Sequence, residues 1–371
     1  MRIVLSGGGT GGHIYPAVAV ARQLEEEDKG SAFLYIGGKR GLESKIVPQE
    51  KIPFKAIDIT GFRRKLSMDN VKTVMRFLKG VKASKEMLRE FKPDVVIGTG
   101  GYVCGPVVYA ASRLGIPTLI HEQNAIPGLT NRFLSRYADT VAVSFEGTES
   151  AFPGGKNVIY TGNPRATTVT TASAQRGFAS LGIPEGSTVV LVVGGSGGAK
   201  AINQAMIEMA PYLGKGNGVH YVYVTGESYF EETRKALRQK LGSESGWLHI
   251  LPYIHNMPEV LACLSLIVNR AGASFLAEIT ALGIPSVLIP SPNVTNNHQE
   301  ANARQLEREG AAVVLLEKDL NGQTLLAAVQ KIIGAEDVQR SMSEASRRLG
   351  KRDSASLVVA ELRRLVANRK A

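Results

Sequence analysis

Two glycine-rich stretches, each directly behind a run of aliphatic residues, constrain this chain more than any other feature. The first, Gly7-Gly8-Gly9-Thr10-Gly11-Gly12-His13, follows the strand-like run Ile3 to Ser6; the second, Gly194-Gly195-Ser196-Gly197-Gly198, follows Val189 to Val193. A glycine run between a buried strand and a helix lets bare backbone amides approach an anion at the helix N-terminus, where the helix dipole also favours negative charge. Two such loops imply two nucleotide-fold halves, with the chemistry where they face each other.

Length agrees with two halves. At 371 residues the chain exceeds the size at which single cores usually split, and a fold this large hides about 75% of its unfolded surface. Short Val/Ile/Leu runs alternate with helical patterns: Ile3 to Ser6, Ala32 to Ile36, Asp94 to Ile97, Thr118 to His121 and Thr140 to Val143, then Val189 to Val193, Val219 to Val224, Leu264 to Val268, Ser286 to Ile289 and Ala312 to Leu315. Runs of this kind, bounded by Gly or Pro, read as buried parallel strands of an α/β fold. The halves echo each other again at Gly115-Ile116-Pro117 and Gly283-Ile284-Pro285, where a helix ends at Gly and Pro turns the chain into a strand. The expected division is residues 1–163, residues 164–350, and a C-terminal helical segment, residues 351–371. That segment sets Leu357, Val358, Leu362 and Leu365 on one side, either to cap the second domain or to cross back to the first.

Composition narrows the function classes. With 44% hydrophobic and 21% charged residues the chain reads as globular, and no apolar run approaches the ~18 residues of a membrane span. The start of the chain lacks the long apolar core of a signal peptide, so a cytoplasmic-side location is expected. Cys104 and Cys263 are far apart and in no metal or redox spacing. The net charge of +11 calls for an anionic partner: nucleic acid, an acidic membrane surface or a phosphorylated substrate.

The first loop formally satisfies Gly-x-Gly-x-x-Gly at Gly7, Gly9 and Gly12, but no acidic residue closes the next strand, which runs into Gly37-Gly38-Lys39. A dinucleotide cofactor is therefore not expected, and the P-loop pattern occurs in neither loop. No Asp-x-Asp occurs and the histidines lack ligand spacing, so no metal and no cofactor is expected. His13 opens a helix beside the loop, where the positive helix end favours a neutral ring; that suits a general base, or a residue that only bonds its own turn. His121-Glu122-Gln123-Asn124 follows a strand, where α/β sheets bind ligands, and reads as a binding wall or as a solvated loop. Glu278 suits the two hydroxyls of a ribose or a helix-surface charge. Gln299 suits sugar hydroxyls or a helix cap.

Between Phe62 and Lys92 stand ten basic residues, Arg63, Arg64, Lys65, Lys72, Arg76, Lys79, Lys82, Lys85, Arg89 and Lys92, against Asp69, Glu86 and Glu90. Two apolar stripes accompany them, Val71, Val74, Met75, Leu78 and Val81 on one side and Phe77, Val81, Leu88 and Phe91 on the other. One should dock on the domain while the other meets lipid, with Arg76, Phe77, Lys79 and Lys82 as membrane contacts; a solvated basic face is the alternative. Nucleic-acid binding is not expected, because aromatic residues are not interleaved as stacking platforms.

Taken in order, Gly7 to His13, Gly98-Thr99-Gly100-Gly101-Tyr102, His121 to Asn124, Gly162-Asn163-Pro164-Arg165, Gly194 to Ala199 and Ala277-Glu278 resemble the bacterial MurG family. Its members are the undecaprenyl-diphospho-muramoylpentapeptide N-acetylglucosaminyltransferases of peptidoglycan synthesis. The resemblance runs over nearly the whole chain. It implies a GT-B fold, with two Rossmann-like domains around a cleft and a C-terminal helix crossing back to the first. It also implies metal-independent, inverting transfer from UDP-N-acetylglucosamine to a lipid-diphosphate acceptor at the cytoplasmic face of the membrane.

By the same resemblance His13 is the base. Thr10, Gly11, Gly12, Asn124, Arg165, Ser196, Ile254, the run Ala273, Ser274, Phe275, Leu276, Ala277 and Glu278, and Gln299 bind the donor. Gly9, Thr10, His13, Gly101, Tyr102, Glu122 and Asn124 bind the acceptor. Other GT-B lipid glycosyltransferases and the UDP-N-acetylglucosamine 2-epimerases are the competing enzyme readings, and a basic nucleic-acid-binding module is the competing non-enzyme one.

Overall fold

A computed structural model describes residues 1–61, 68–155, 157–213, 218–242 and 246–370. It divides into two compact units, residues 1–167 with 353–371, and residues 168–352. Residues 164–167, placed by the sequence with the second domain, group with the first.

Unit 1 runs β1 (Arg2–Ser6), α1 (Gly11–Glu27), β2 (Ala32–Gly38), α2 (Glu43–Gln49), β3 (Phe54–Ile57), α3 (Met68–Phe91), β4 (Val95–Gly98), α4 (Cys104–Arg113), β5 (Thr118–Glu122), α5 (Leu129–Leu134), β6 (Thr140–Val143) and β7 (Val158–Tyr160). Its seven strands pair in parallel in the order β3-β2-β1-β4-β5-β6-β7. The central strands are buried on both faces, which is why they read as unbroken aliphatic runs. Three strands escape the sequence pattern: β3 and β7 here and the counterpart of β3 in unit 2. Each lies at a sheet edge and is only partly buried, so selection for an apolar run is relaxed there.

Unit 2 runs α6 (Ala174–Leu181), β8 (Thr188–Val193), α7 (Lys200–Met209), β9 (Val219–Val224), α8 (Phe230–Leu241), β10 (Leu248–Leu251), α9 (Met257–Ala262), β11 (Leu266–Asn269), α10 (Ala273–Leu282), β12 (Ser286–Leu288), α11 (His298–Arg308), β13 (Ala312–Val314), α12 (Gly322–Ile333) and α13 (Glu336–Leu349). Its parallel sheet has the order β10-β9-β8-β11-β12-β13, with β10 the third unforeseen edge strand. The repeated Gly-Ile-Pro does what its sequence implies: Gly115 (φ 66°) and Gly283 (φ 72°) take the left-handed conformation that ends α4 and α10.

The last helix, α14 (Ser354–Lys370), belongs to unit 1, where it lies on α1. Val358, Val359, Leu362 and Leu365 join Ile14, Ala17, Val18 and Leu24 in one core cluster. Each fully buried aliphatic contributes about 1.5–3 kcal/mol. Leu357, grouped with this face by the sequence, is half-buried, and Val359 takes its place. The reason is periodicity: Ala355, Val358, Val359 and Leu362 are the i, i+3, i+4, i+7 set.

α3 divides its two stripes unequally. Val81 and Leu88 are buried and Phe77 packs half-buried against Tyr109 and Phe133, while Val74, Met75 and Leu78 are 46%, 53% and 62% exposed. Phe77, expected at the membrane, is therefore part of the domain core. Arg76, expected there too, turns to Thr60 and Asp58 of its own unit. Lys72, Lys79 and Lys82 are exposed beside the apolar stripe. Arg63, Arg64 and Lys65 lie outside the described residues. Among those residues no helix is long and apolar enough to cross a membrane.

Candidate active site

In unit 1 the strand order reverses direction between β1 and β4, the place where open α/β sheets bind ligands beyond the strand ends. The register puts Ser6 beside Gly98, so the Gly7–Gly12 loop and the Thr99–Tyr102 loop emerge side by side. They touch through backbone. Gly8 N–H donates to Gly100 O at 3.2 Å, and a Cβ on Gly101, whose φ is 82°, would stand 2.3 Å from the Gly8 carbonyl oxygen.

His13 sits in the first turn of α1, half-buried. Its Nδ1 is 2.9 Å from Gly8 O and 3.3 Å from Thr10 Oγ1. A carbonyl only accepts, so Nδ1 carries a proton, and in a neutral ring the lone pair is then at Nε2. Thr99 Oγ1 donates to His13 O at 2.6 Å, fixing the helix start.

The polar quartet after β5 is not a uniform wall. His121 is buried, donating from Nε2 to Gly162 O (2.9 Å) and accepting at Nδ1 from Gln123 Nε2 (3.1 Å). Burial holds its pKa down to about 4. Gln123 Nε2 also reaches Thr99 O at 2.7 Å, tying the quartet to the β4 loop.

Glu122, expected to meet the acceptor, is 2% exposed. Its carboxylate accepts from Asn124 N and Nδ2, Gly128 N and Asn131 Nδ2. Four donors occupy the two oxygens, so Glu122 shapes the loop that presents Asn124 rather than contacting a ligand itself. Tyr102 is 57% exposed, and the Arg165 guanidinium lies over the Tyr15 ring, 5.1 Å from its centroid.

One residue of this site carries no motif. Glu43, at the start of α2 and 2% exposed, accepts from Gly9 N at 2.9 Å and from Gly38 N at 2.8 Å. It fills the first glycine loop with a carboxylate of the protein's own. The signal available in the sequence was a lone Glu shortly after a second glycine pair, which by itself names no partner.

In unit 2 the second loop leads from β8 to α7 at the corresponding reversal of strand order. Its geometry is open. Among the described residues Gly195 (φ 97°) and Gly197 have nothing within 4 Å of a notional Cβ, Ser196 is exposed, and the cap of α7 receives no side-chain hydrogen bond. Gly198 (φ 74°) is instead packed on backbone, 2.1 Å from a Cβ to the Thr225 oxygen.

α10 begins beyond β11, and its first residues split by face: Ser274, Phe275 and Ala277 are half-buried, whereas Ala273 and Leu276 are 8% and 1% exposed. Leu276, named for the donor, spends its side chain in the core, leaving only its backbone for a ligand. Glu278 is 3% exposed, which rules out the helix-surface alternative. Ile254 is buried in the loop after β10, between Tyr253 and His255, whose rings meet edge to face at 4.9 Å. Gln299 Oε1 accepts from Ser291 N at 2.9 Å, so it braces the β12 loop and does not cap its own helix. Among the described residues no group of three or more His, Cys, Asp or Glu forms a metal cage.

These paired α/β units match the glycosyltransferase family 28 N-terminal domain at residues 3–143 and the glycosyltransferase family 28 C-terminal domain at residues 189–358. The UDP-N-acetylglucosamine--N-acetylmuramyl-(pentapeptide) pyrophosphoryl-undecaprenol N-acetylglucosamine transferase of Bacillus subtilis (strain 168) is 53% identical over 98% of this chain and 99% of its own. That of Bacillus licheniformis is 54% identical over the same shares. Among solved structures, Acinetobacter baumannii MurG superposes with a TM-score of 0.78 at 29% identity, over 98% of this chain and 99% of that one. The UDP-GlcNAc 2-epimerase of Neisseria meningitidis bound to UDP-GlcNAc reaches 0.70 at 15% identity, over 98% and 100%, a likeness of fold alone. The chain belongs to glycosyltransferase family 28 and, within that class, to the MurG family of N-acetylglucosamine transferases, with the GT-B fold.

Proposed function

We infer that the protein transfers N-acetylglucosamine from UDP-N-acetylglucosamine to the 4-hydroxyl of undecaprenyl-diphospho-N-acetylmuramoyl-pentapeptide, forming the disaccharide lipid of peptidoglycan synthesis. The observation that carries this is the 53% identity to the Bacillus subtilis transferase across 98% of the chain. The acceptor oxygen bonds to the anomeric carbon as the bond to UDP breaks, inverting the centre. The hydroxyl proton passes to His13 Nε2, and the electron pair of the broken bond leaves with UDP. No metal is required in this scheme, since backbone amides and a helix N-terminus receive the diphosphate charge.

We assign Ser196 and the open amides before α7 to the diphosphate, Glu278 to the ribose hydroxyls, Ile254 backbone to the uracil, and Ser274, Phe275 and Ala277 to the nucleotide wall. Gln299 and Asn124 orient the sugar, with Thr10, Gly11 and Gly12 beside them and Arg165 supplying positive charge. Gly9, Gly101 and Tyr102 bound the acceptor.

The protein works as a peripheral enzyme on the cytoplasmic side of the membrane, held by exposed Val74, Met75 and Leu78 with Lys72, Lys79 and Lys82. Near an anionic bilayer each lysine is worth about 1 kcal/mol. Replacing the three lysines by glutamate is expected to release the protein from anionic vesicles, and retention would place the contact elsewhere.

Purified protein with labelled UDP-N-acetylglucosamine and the lipid acceptor is expected to yield labelled disaccharide lipid. No lipid product would sink the transferase reading. Sugar release independent of acceptor would favour an epimerase.

A further inference from the structure

The peptide between Gly8 and Gly9 is held at both ends. Its N–H donates to Glu43 Oε2 at 2.9 Å, and its C=O accepts from His13 Nδ1 at 2.9 Å. In a trans peptide these groups point in opposite directions, so one planar, delocalised unit lies between the carboxylate and the imidazole. We propose that Glu43 acts through the Gly8–Gly9 peptide as the positioning residue for His13, strengthening the bond that the Gly8 carbonyl makes to its Nδ1–H and raising the basicity of Nε2.

Hydrogen bonds in a chain polarise one another. A carboxylate accepting at the amide N–H draws negative charge toward the Gly8 oxygen, which strengthens its bond to Nδ1–H and stabilises the imidazolium that forms when Nε2 takes the acceptor's proton. The proton stays on His13. Glu43 remains a carboxylate throughout, and the peptide transmits polarisation only. This rests on the assignment of His13 as base.

The surroundings leave this role to Glu43. Tyr35 of β2 donates to Gly7 O at 2.7 Å, and burial first, with the charges of its neighbours, raises its pKa well above the usual phenol value. Cys104 of α4 receives Gly100 N–H and donates to Ser6 O, and burial pushes its thiol up to about 12. His121 of β5 is held near 4 by burial. All three are neutral near pH 7. The carboxylate of Glu122 is occupied by its own loop, and Arg165 stands over Tyr15. Glu43 has a donor on each oxygen, which suits the acceptor-only ionised form.

The test reads His13 directly. In full-length protein labelled with 15N-histidine, His13 is assigned by comparison with His13→Ala and titrated without substrate. The neutral wild-type ring is expected as the Nδ1–H tautomer, and Glu43→Gln is expected to lower its pKa by about one unit. Tyr35→Phe removes a different bond to the same loop and is expected to leave the titration in place. An unshifted His13 in Glu43→Gln, or an equal shift in Tyr35→Phe, would overturn the proposal. Should Glu43→Gln not fold, Glu43→Asp withdraws the charge by one methylene; a smaller downward shift supports the relay and no shift overturns it.

In the transferase assay the acid limb of kcat/KM for Glu43→Gln should move down by the same interval, with kcat lower by about tenfold and the donor KM held. The two layers separate cleanly. Near-normal turnover in His13→Ala with a Glu43-dependent titration removes the base and keeps the relay, whereas inactive His13→Ala with a Glu43-independent titration keeps the base and removes the relay.

Discussion

The two glycine loops share one local grammar, strand, glycines, helix, and arrive at opposite states. In the first, Gly8 N–H is spent on Gly100 and Gly9 N–H on Glu43. In the second, Gly198 N–H bonds within the loop to Gly195 O, and among the described residues Gly195 and Gly197 face open space ahead of a helix that no side chain caps. A resident carboxylate repels a phosphate, where a loop filled by no carboxylate of its own leaves its helix end to attract one. Glycine content therefore does not identify an anion site; what fills the concavity does. In the function we propose, the first loop is a mount for His13 and the second a place for a diphosphate.

The largest expected effect falls on the mount. His13→Ala should lower turnover by about 10²- to 10⁴-fold, the range for a positioned acid or base, with UDP affinity retained by calorimetry. Near-normal turnover would leave the first loop without its proposed task.

Acid should loosen the same region. The pKa of His121 falls from an ordinary 6.5 to about 4 in the folded state, so between those values the unfolded chain binds more protons. Stability is full above pH 6.5 and declines as pH drops toward 4, by roughly 3 kcal/mol. Urea titrations read on signals from each unit should show unit 1 weakening over this window, and His121→Gln should flatten the response. An unaltered pH slope in His121→Gln would assign the acid sensitivity to other groups.

Glycine substitutions probe the contrast itself. Gly101→Ala forces a Cβ into a positive-φ site against the Gly8 carbonyl, at a cost of about 1–3 kcal/mol. Gly197→Ala meets no neighbour. It should stay within about 0.5 kcal/mol of the parent while weakening UDP, because its methyl takes up open space at the loop. If both destabilise alike, the second loop is not open.

The smallest effect is on affinity. Glu278→Ala should weaken UDP binding by about tenfold, the worth of a charge-assisted hydrogen bond, and unchanged affinity would remove it from the ribose.

Much of this was visible in the chain and some was not, for definite reasons. The central strands are buried on both faces, so their sequences had to be aliphatic. The edge strands Phe54–Ile57, Val158–Tyr160 and Leu248–Leu251 are not, and were missed. The loops and His13 were legible because glycine and a helix-start histidine carry conformational and chemical meaning at their own positions. Glu43 was not, because its partners are backbone N–H groups, one of them 34 residues away, and backbone leaves no mark in side-chain spacing. Glu122 misled for the converse reason: a polar residue at a strand end looks like a ligand contact until Asn124, Gly128 and Asn131 are seen around it.

The most direct measurement is a crystal structure of the protein with UDP-N-acetylglucosamine. The diphosphate is expected on the amides of residues 195–197 ahead of α7, with Glu43 still bonded to Gly9. A diphosphate seated on Gly7–Gly12, with Glu43 displaced, would contradict it.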